Sequence, residues 1–510
     1  MEKNLKAKII DIVEGRLEVI LNEEEMKDLG IHPKDRVQVS TDHKTCVVIV
    51  DASTEFIKEG EIGVSSEVVR LLGIKEGDEI SVVLTEKPKS IEYIKKKMEG
   101  GQLTENEFES IIKDVIDNKL SEVEITAFIS ALYINDMTMD ETVYLTRQIA
   151  RTGETLHLKR RPVFDKHSLG GVPGNKITLL VVPIVAAAGL TIPKTSSRAI
   201  TSACGTADIM EVLAPVEFNA EEIEEIVNRT NGIIAWGGGV NLAPADDIFI
   251  QVEYPLSLDP HNLAICSVMA KKLAVGAEFV VIDLPMGPGT KIRDMDVAKK
   301  FARDFIELGE RVGIKVECAI TYGDKPIGRA VGPALEAREA LMALEGRSPS
   351  TSLIEKATAI AGIILDAGGV AIKGRGKKVA ENIIASGEAL KKMKEIIAAQ
   401  GGDPKIKPED IPIGKFSQNV DSTGEGYVTG IDNKAVVQIA RAAGAPRDKG
   451  AGILFHITKG KKIKKGDILF EIFAESEYKL EQAVKLAKQL WPVKLEGMLL
   501  ERIPSYTYVE

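Results

Sequence analysis

The stretch Ser196-Ser-Arg-Ala-Ile-Thr-Ser-Ala-Cys-Gly-Thr-Ala-Asp-Ile-Met-Glu211 decides how this chain is read. It is crowded with hydroxyls, holds one guanidinium, and ends in a Gly-Thr step that opens an apolar helical run. Backbone N–H groups, side-chain donors and a helix N-terminus then face one small volume, which favours an anion such as phosphate. A second segment of the same character, Asp165-Lys-His-Ser-Leu-Gly-Gly171, lies upstream. β-rich runs precede these loops, at 161–165 and 190–194; two more, at Gly232–Trp236 and 278–283, lead into further glycine-rich turns. Strands that end in polar or glycine-rich loops before helices predict an α/β sheet, with ligands at the carboxyl ends of the strands. Two such loops predict a phosphate-using enzyme.

Working outward, the sequence predicts a multi-domain α/β protein. Residues 1–86 form a small N-terminal β-barrel-like accessory or assembly domain. Residues 87–158 form a helical domain, rejoined by about 246–275; 159–410 form the central α/β phosphate-binding domain, and 411–510 a C-terminal α+β domain. The first of these rests on an internal repeat. Leu29-Gly-Ile31 followed by Asp35-Arg-Val-Gln-Val39 recurs as Leu72-Gly-Ile74 followed by Asp78-Glu-Ile-Ser-Val82. In each copy a short helix should end on the glycine in a left-handed turn, with an alternating strand after it. Asn22 and Glu25 read as a capping box for the first helix, and Ser65 or Ser66 as the cap of the second. Helical periodicity then runs from Ser90, with Thr104/Glu107 and Ser121/Glu124 as capping boxes. The apolar run 177–192 contains Pro183 and Gly189 and reads as a buried helix, too short to span a bilayer.

Composition narrows the class. A chain of 510 residues exceeds one ordinary domain. Its formal net charge of −10 argues against nucleic-acid or anionic-membrane partners, which need a basic face. Cys46, Cys204, Cys266 and Cys318 show no metal-ligand spacing, so reduced thiols and a cytoplasmic setting are expected. The polar start Met1-Glu-Lys-Asn predicts no secretory signal.

The motifs resemble the thymidine/pyrimidine-nucleoside phosphorylase family from about Ser90 onward. Its serine–arginine loop running into Gly-Thr-x-Asp-x-x-Glu is matched by Ser196-Ser-Arg198 through Gly205–Glu211, and its Asp-Lys-His-Ser-x-Gly-Gly by 165–171. Asn135-Asp-Met-Thr-Met139, Leu242-Ala-Pro-Ala-Asp246 and Glu336-Ala-Arg-Glu339 also match, in order. Two departures stand out. The arginine that grips the pyrimidine, fifteen positions before the serine matching Ser267, is replaced by Val252. The family's Gly-x-Gly-Ala-Phe-Met loop reads Gly287-Pro-Gly-Thr-Lys-Ile292, which adds Lys291. Losing a base-edge donor while gaining a cation suits a substrate with an extra phosphate. With the N-terminal extension, the chain is similar to the AMP phosphorylase branch, which implies AMP or another nucleoside monophosphate plus phosphate as substrates and free base plus ribose 1,5-bisphosphate as products.

The resemblance also implies roles. Lys166 and Ser168, just past a strand end, and Thr206 at its helix N-terminus are expected to bind the attacking phosphate. Gly171 and the run Ser197, Arg198, Ala199, Ile200, Thr201 and Ser202 are expected to surround AMP with Thr206, Ser267, Lys271 and Lys291; Arg198 and Lys291 suit its 5′-phosphate. Asp259 matches the proton donor to the leaving base, although Asp-Pro is also a common helix start. His167 is the second candidate acid. The site is then expected in a closing cleft, with base-side groups on the helical domain and phosphate loops on the α/β domain. No cofactor or metal is implied, phosphate being a co-substrate. Homodimers through the helical domain are implied, with larger homo-oligomers built by the N-terminal barrel. The alternatives are a pyrimidine-nucleoside phosphorylase, an anthranilate phosphoribosyltransferase (whose magnesium-binding acids have no matching positions here) and a non-catalytic nucleotide sensor.

Overall fold

Alternating apolar residues close the N-terminal repeat into a barrel. The computed structural model describes residues 2–12, 17–199, 202–256, 258 and 260–499. The chain divides into two compact units, Met1–Gly153 with Ala243–Ala270, and Glu154–Leu242 with Lys271–Glu510. In the first unit, β1 (Glu2–Ile9), β2 (Glu18–Asn22), β3 (Arg36–Ser40), β4 (Thr45–Ser53), β5 (Glu61–Val64) and β6 (Glu79–Leu84) form a closed barrel of order β1-β5-β2-β4-β3-β6. Leu5, Val19, Leu21, Val37, Val39, Val48, Val50, Ile62, Ile80 and Val82 fill it, as the period of two dictates. Both repeat helices end on left-handed glycines, Gly30 and Gly73, as expected. The first capping box does not form. Asn22 caps the helix by accepting from Glu24 N, but Glu25 turns away to accept from Gly60 N at 2.6 Å and to pair with Lys3. Ser65 stands at the second N-cap without a side-chain cap bond.

The rest of this unit is helical: Ser90–Met98, Glu105–Ile116, Glu122–Asn135 and Met139–Arg151. They pack with Pro244–Leu256, around Phe108, Phe128 and Phe249. Both predicted capping boxes are present, and Thr138/Glu141 adds a third. Arg36 of the barrel donates to Glu124 and to the Lys119 carbonyl, tying barrel to helices. Val252 is buried in this helical core.

The second unit is built on parallel strands: β7 (Phe164–Ser168), β8 (Ile192–Ser196), β9 (Gly232–Trp236), β10 (Phe279–Met286) and β11 (Lys315–Tyr322). β10 lies between β7 and β11, β8 pairs with β9, and the two groups meet at the bridge Val163–Thr191. β7 runs further than expected, so Lys166, His167 and Ser168 form the end of the strand and not a loop beyond it. The run 177–192 contains the helix Thr178–Ala187, buried from Thr178 to Ala186 and set against helices Thr351–Ala367 and Glu388–Ala399. Because strands of a parallel sheet are covered on both faces, their interiors read as unbroken apolar runs, as in Val280-Val-Ile282. Two antiparallel sheets with helices Asn433–Ala442 and Glu477–Leu490 form the C-terminal part. No helix among the described residues is long and apolar enough to cross a membrane.

Candidate active site

β7 and β10 lie side by side, with Asp165 beside Val280 and Ser168 beside Asp283, and carry two buried carboxylates among four buried lysines. Asp165 and Asp283 are fully buried, and Lys166, Lys194, Lys272 and Lys356 are each more than nine-tenths buried. Asp165 pairs with Lys272 at 2.5 Å, lies 3.8 Å from Lys194, and accepts from the backbone N–H of Lys166 at 2.7 Å. Asp283 accepts from Ser168 Oγ at 2.7 Å and from Thr321 Oγ1 at 2.5 Å. Its Oδ2 lies 3.0 Å from Lys356 Nζ, which is not aligned for a hydrogen bond with it. Lys166 Nζ donates to Ser168 Oγ at 2.8 Å.

Burial penalises ammonium groups that have too few carboxylate partners. It pushes Lys166 down to about 8 and Lys194 well below the usual lysine range. Four buried lysines against two buried carboxylates leave N–H donors without carboxylate partners, a setting that favours an anion such as phosphate. His167, on the same strand, is held well below the ordinary histidine value, first by burial and then by Lys272, Lys194, Lys166 and Lys271. An imidazole so placed resists becoming the cationic acid.

The serine–arginine loop folds back on its own helix. A Cβ on Gly205 would stand 2.8 Å from Arg198 C and 2.9 Å from Ala199 N, so only glycine allows this approach. Asp208 accepts from Ala199 N and Gly205 N, each at 2.8 Å, pinning Ser197–Ala199 over the start of helix Thr206–Met210. Arg198 is held by carboxylates: bidentate to Glu211 at 2.8 and 2.6 Å, to Glu217 at 2.9 Å, and stacked on Trp236 with its central carbon 4.8 Å from the ring centroid. Lys449 also reaches Glu211, at 2.5 Å, and the two cations hold this carboxylate down to about 2, Arg198 contributing most. The Asp and Glu of the Gly-Thr-x-Asp-x-x-Glu motif therefore brace the loop. Glu336 and Glu339 brace as well. Glu339 pairs with Lys176 at 2.9 Å and accepts from Arg329 N and Ala330 N, while Glu336 accepts from Cys204 Sγ at 2.9 Å.

The structure brings Lys166 and Ser168 together, and Gly171 against the Lys291 loop: a Cβ on Gly171 would lie 3.1 Å from Thr290 Cα and 3.3 Å from Lys291 N. Thr206 opens its helix one residue after Gly205, and Ser202 donates to the Cys204 carbonyl at 3.0 Å. Ser267 and Lys271 both stand in helix His261–Ala274, where Ser267 donates to Asp246 at 2.7 Å. Ile200, Thr201 and Asp259 lie outside the described residues. Sequence reasoning missed Lys194, Lys272, Lys356, Asp283 and Thr321. A cavity of about 980 Å³ lies elsewhere, where Pro288 and Gly289 face Lys434, Lys459 and Trp491 of the C-terminal part.

Known proteins match along the chain. Residues 160–390 fit the glycosyl transferase family a/b domain, 91–153 the helical bundle domain of the same family, and 427–494 the pyrimidine nucleoside phosphorylase C-terminal domain. An AMP phosphorylase of Thermococcus kodakarensis is 53% identical over 499 residues, covering 98% of this chain and 99% of that one. AMP phosphorylases of Methanococcoides burtonii and Methanocaldococcus jannaschii are 51% and 50% identical, with the same coverage. The crystal structure of anthranilate phosphoribosyltransferase from Thermus thermophilus superposes with a TM-score of 0.52 at 20% identity, over 60% of this chain and 98% of that one, a likeness of fold.

Proposed function

The chain belongs to the AMP phosphorylase family, and from that premise we propose that it cleaves AMP with inorganic phosphate, releasing adenine and ribose 1,5-bisphosphate. The observation that carries this reading is the buried cluster along β7 and β10, whose lysines outnumber its carboxylates and so favour an anion. Lys166 and Ser168 hold phosphate beneath the ribose, with Thr206 at its helix start, so that an oxygen attacks C1′ as the bond to N9 breaks. Charge builds on the leaving purine, and Asp259 protonates it; the depressed value of His167 supports ranking it second. Gly171, Ser197–Ser202, Ser267, Lys271 and Lys291 hold the nucleotide, and Lys291 takes its 5′-phosphate. Arg198, already engaged by Glu211, supports the loop that lines this pocket. Phosphate is the co-substrate, and the reaction needs no cofactor. A cytoplasmic homo-oligomer, dimeric through the helical domain, follows from the family resemblance.

The pyrimidine-nucleoside reading is weaker because Val252, packed in the helical core, has no donor for a pyrimidine edge. Incubating the purified protein with AMP, with and without phosphate, and following free adenine separates the two. Adenine release strictly dependent on phosphate is expected, with adenosine and thymidine inert. Thymine release from thymidine, with AMP inert, would overturn the proposal.

A further inference from the structure

Ser168 stands in a chain of hydrogen bonds whose direction is set at both ends. Lys166 Nζ donates to Ser168 Oγ, and Ser168 Oγ donates to Asp283 Oδ2. Asp283 is fully buried, with the Thr321 hydroxyl at 2.5 Å and the Lys356 ammonium at 3.0 Å. A carboxylate among an ammonium and two hydroxyls can only accept, so the single hydrogen of Ser168 is committed to it. One lone pair of Ser168 Oγ takes the Lys166 hydrogen, and the other is left for a ligand. Lys356 Nζ, nine-tenths buried, finds no aligned acceptor among the described residues and has N–H groups to offer an anion.

We propose that Asp283 is a specificity-determining positioning residue: by fixing Ser168 as an acceptor, it makes the phosphate site select oxyanions that carry a proton. The inference rests on the phosphorolysis reading. Hydrogen phosphate and hydrogen arsenate give one P–OH or As–OH hydrogen to Ser168 Oγ while their charged oxygens take N–H groups from Lys166 and Lys356. Sulfate and molybdate have similar shape and charge but no hydrogen to give. They set a lone pair against the lone pair of Ser168, which leaves that acceptor without a hydrogen to take. Discrimination by an unmatched polar group of this kind is worth about 10- to 100-fold.

The test is competition among phosphate, arsenate, sulfate and molybdate for the full-length protein, read by calorimetry so that it does not depend on turnover. Arsenate is expected to bind within a few-fold of phosphate, and sulfate and molybdate at least tenfold more weakly. Asp283→Ala frees the Ser168 hydrogen to donate, and is expected to bring sulfate and phosphate within about threefold of each other. Ser168→Ala removes the polarised oxygen, leaves Asp283 its other partners, and should also abolish the preference, which decides the matter if Asp283→Ala does not fold. Wild-type protein that binds sulfate as tightly as phosphate, or Ser168→Ala that keeps the full preference, would overturn the proposal. Failure of the phosphorolysis reading shows separately, as no phosphate-dependent adenine release by wild-type protein.

Discussion

Lys166→Met is expected to lower kcat/KM for phosphate about 10³-fold while leaving AMP binding within a few-fold of wild type. Lys166 is the ammonium that touches Ser168 directly, and preorganised charge-assisted contacts are among the strongest single contributions to such a reaction. Methionine fills much the same space, and Asp165 and Asp283 keep Lys272 and Lys356 as charge partners, so the fold should persist. The wild-type protein carries the pH signature of this residue. Burial, the largest influence, holds Lys166 down to about 8. Phosphate affinity should therefore fall as pH rises through about 8, because the ammonium is lost. Stability should move the other way. A lysine depressed in the fold but ordinary in the unfolded chain leaves the unfolded state with more bound protons between the two values, so its destabilising contribution, full below about 8, is relieved as pH rises toward the ordinary lysine range. Phosphate titrations and melting curves across this window check both directions, and Lys166→Met should lose the part of each that Lys166 contributes, while buried Lys194 keeps its own. Unchanged phosphate kinetics in Lys166→Met would remove the cluster from the mechanism.

Asp165→Ala should be the most destabilising single change at the site, by about 3–5 kcal/mol, the usual cost of removing one partner from a buried ion pair. The carboxylate is fully buried, with Lys272 at 2.5 Å, Lys194 at 3.8 Å and the Lys166 N–H at 2.7 Å. Its loss leaves Lys272 buried without its counter-charge and beside other ammoniums. Denaturant unfolding, followed by a probe in the second unit, measures this. Added phosphate should recover part of the loss, since a dianion supplies the missing negative charge and ligand binding to the folded state stabilises it. A variant as stable as wild type would mean that the cluster is not held by its charges.

The loops were legible because their signals are local. Glycine, hydroxyl and lysine within seven residues mark a ligand-binding turn whatever surrounds them, and the barrel repeat and two capping boxes are equally short-range. What stayed hidden was non-local. Lys194, Lys272, Asp283, Thr321 and Lys356 come from five separate segments, and only the parallel strands with helices His261–Ala274 and Thr351–Ala367 gather them. Each alone reads as an ordinary strand or helix residue. β11 escaped because Lys315, Glu317 and Thr321 interrupt its apolar pattern, as befits a strand at the end of the β11-β10-β7 sheet. The sequence shows the charge of Arg198 but not that Glu211 and Glu217 reach back onto it. Glu25 failed as a capping-box partner because tertiary structure offered it Gly60 N–H and Lys3 instead.

The central claim is that phosphate itself attacks C1′ of the nucleotide. Turnover of AMP with phosphate labelled in all four oxygens with oxygen-18, followed by mass spectrometry of the sugar product, tests it directly. The account predicts a ribose bisphosphate that keeps all four labelled oxygens on the new phosphate, including the one bridging to C1. Unlabelled ribose 5-phosphate, the product of attack by water, would contradict it.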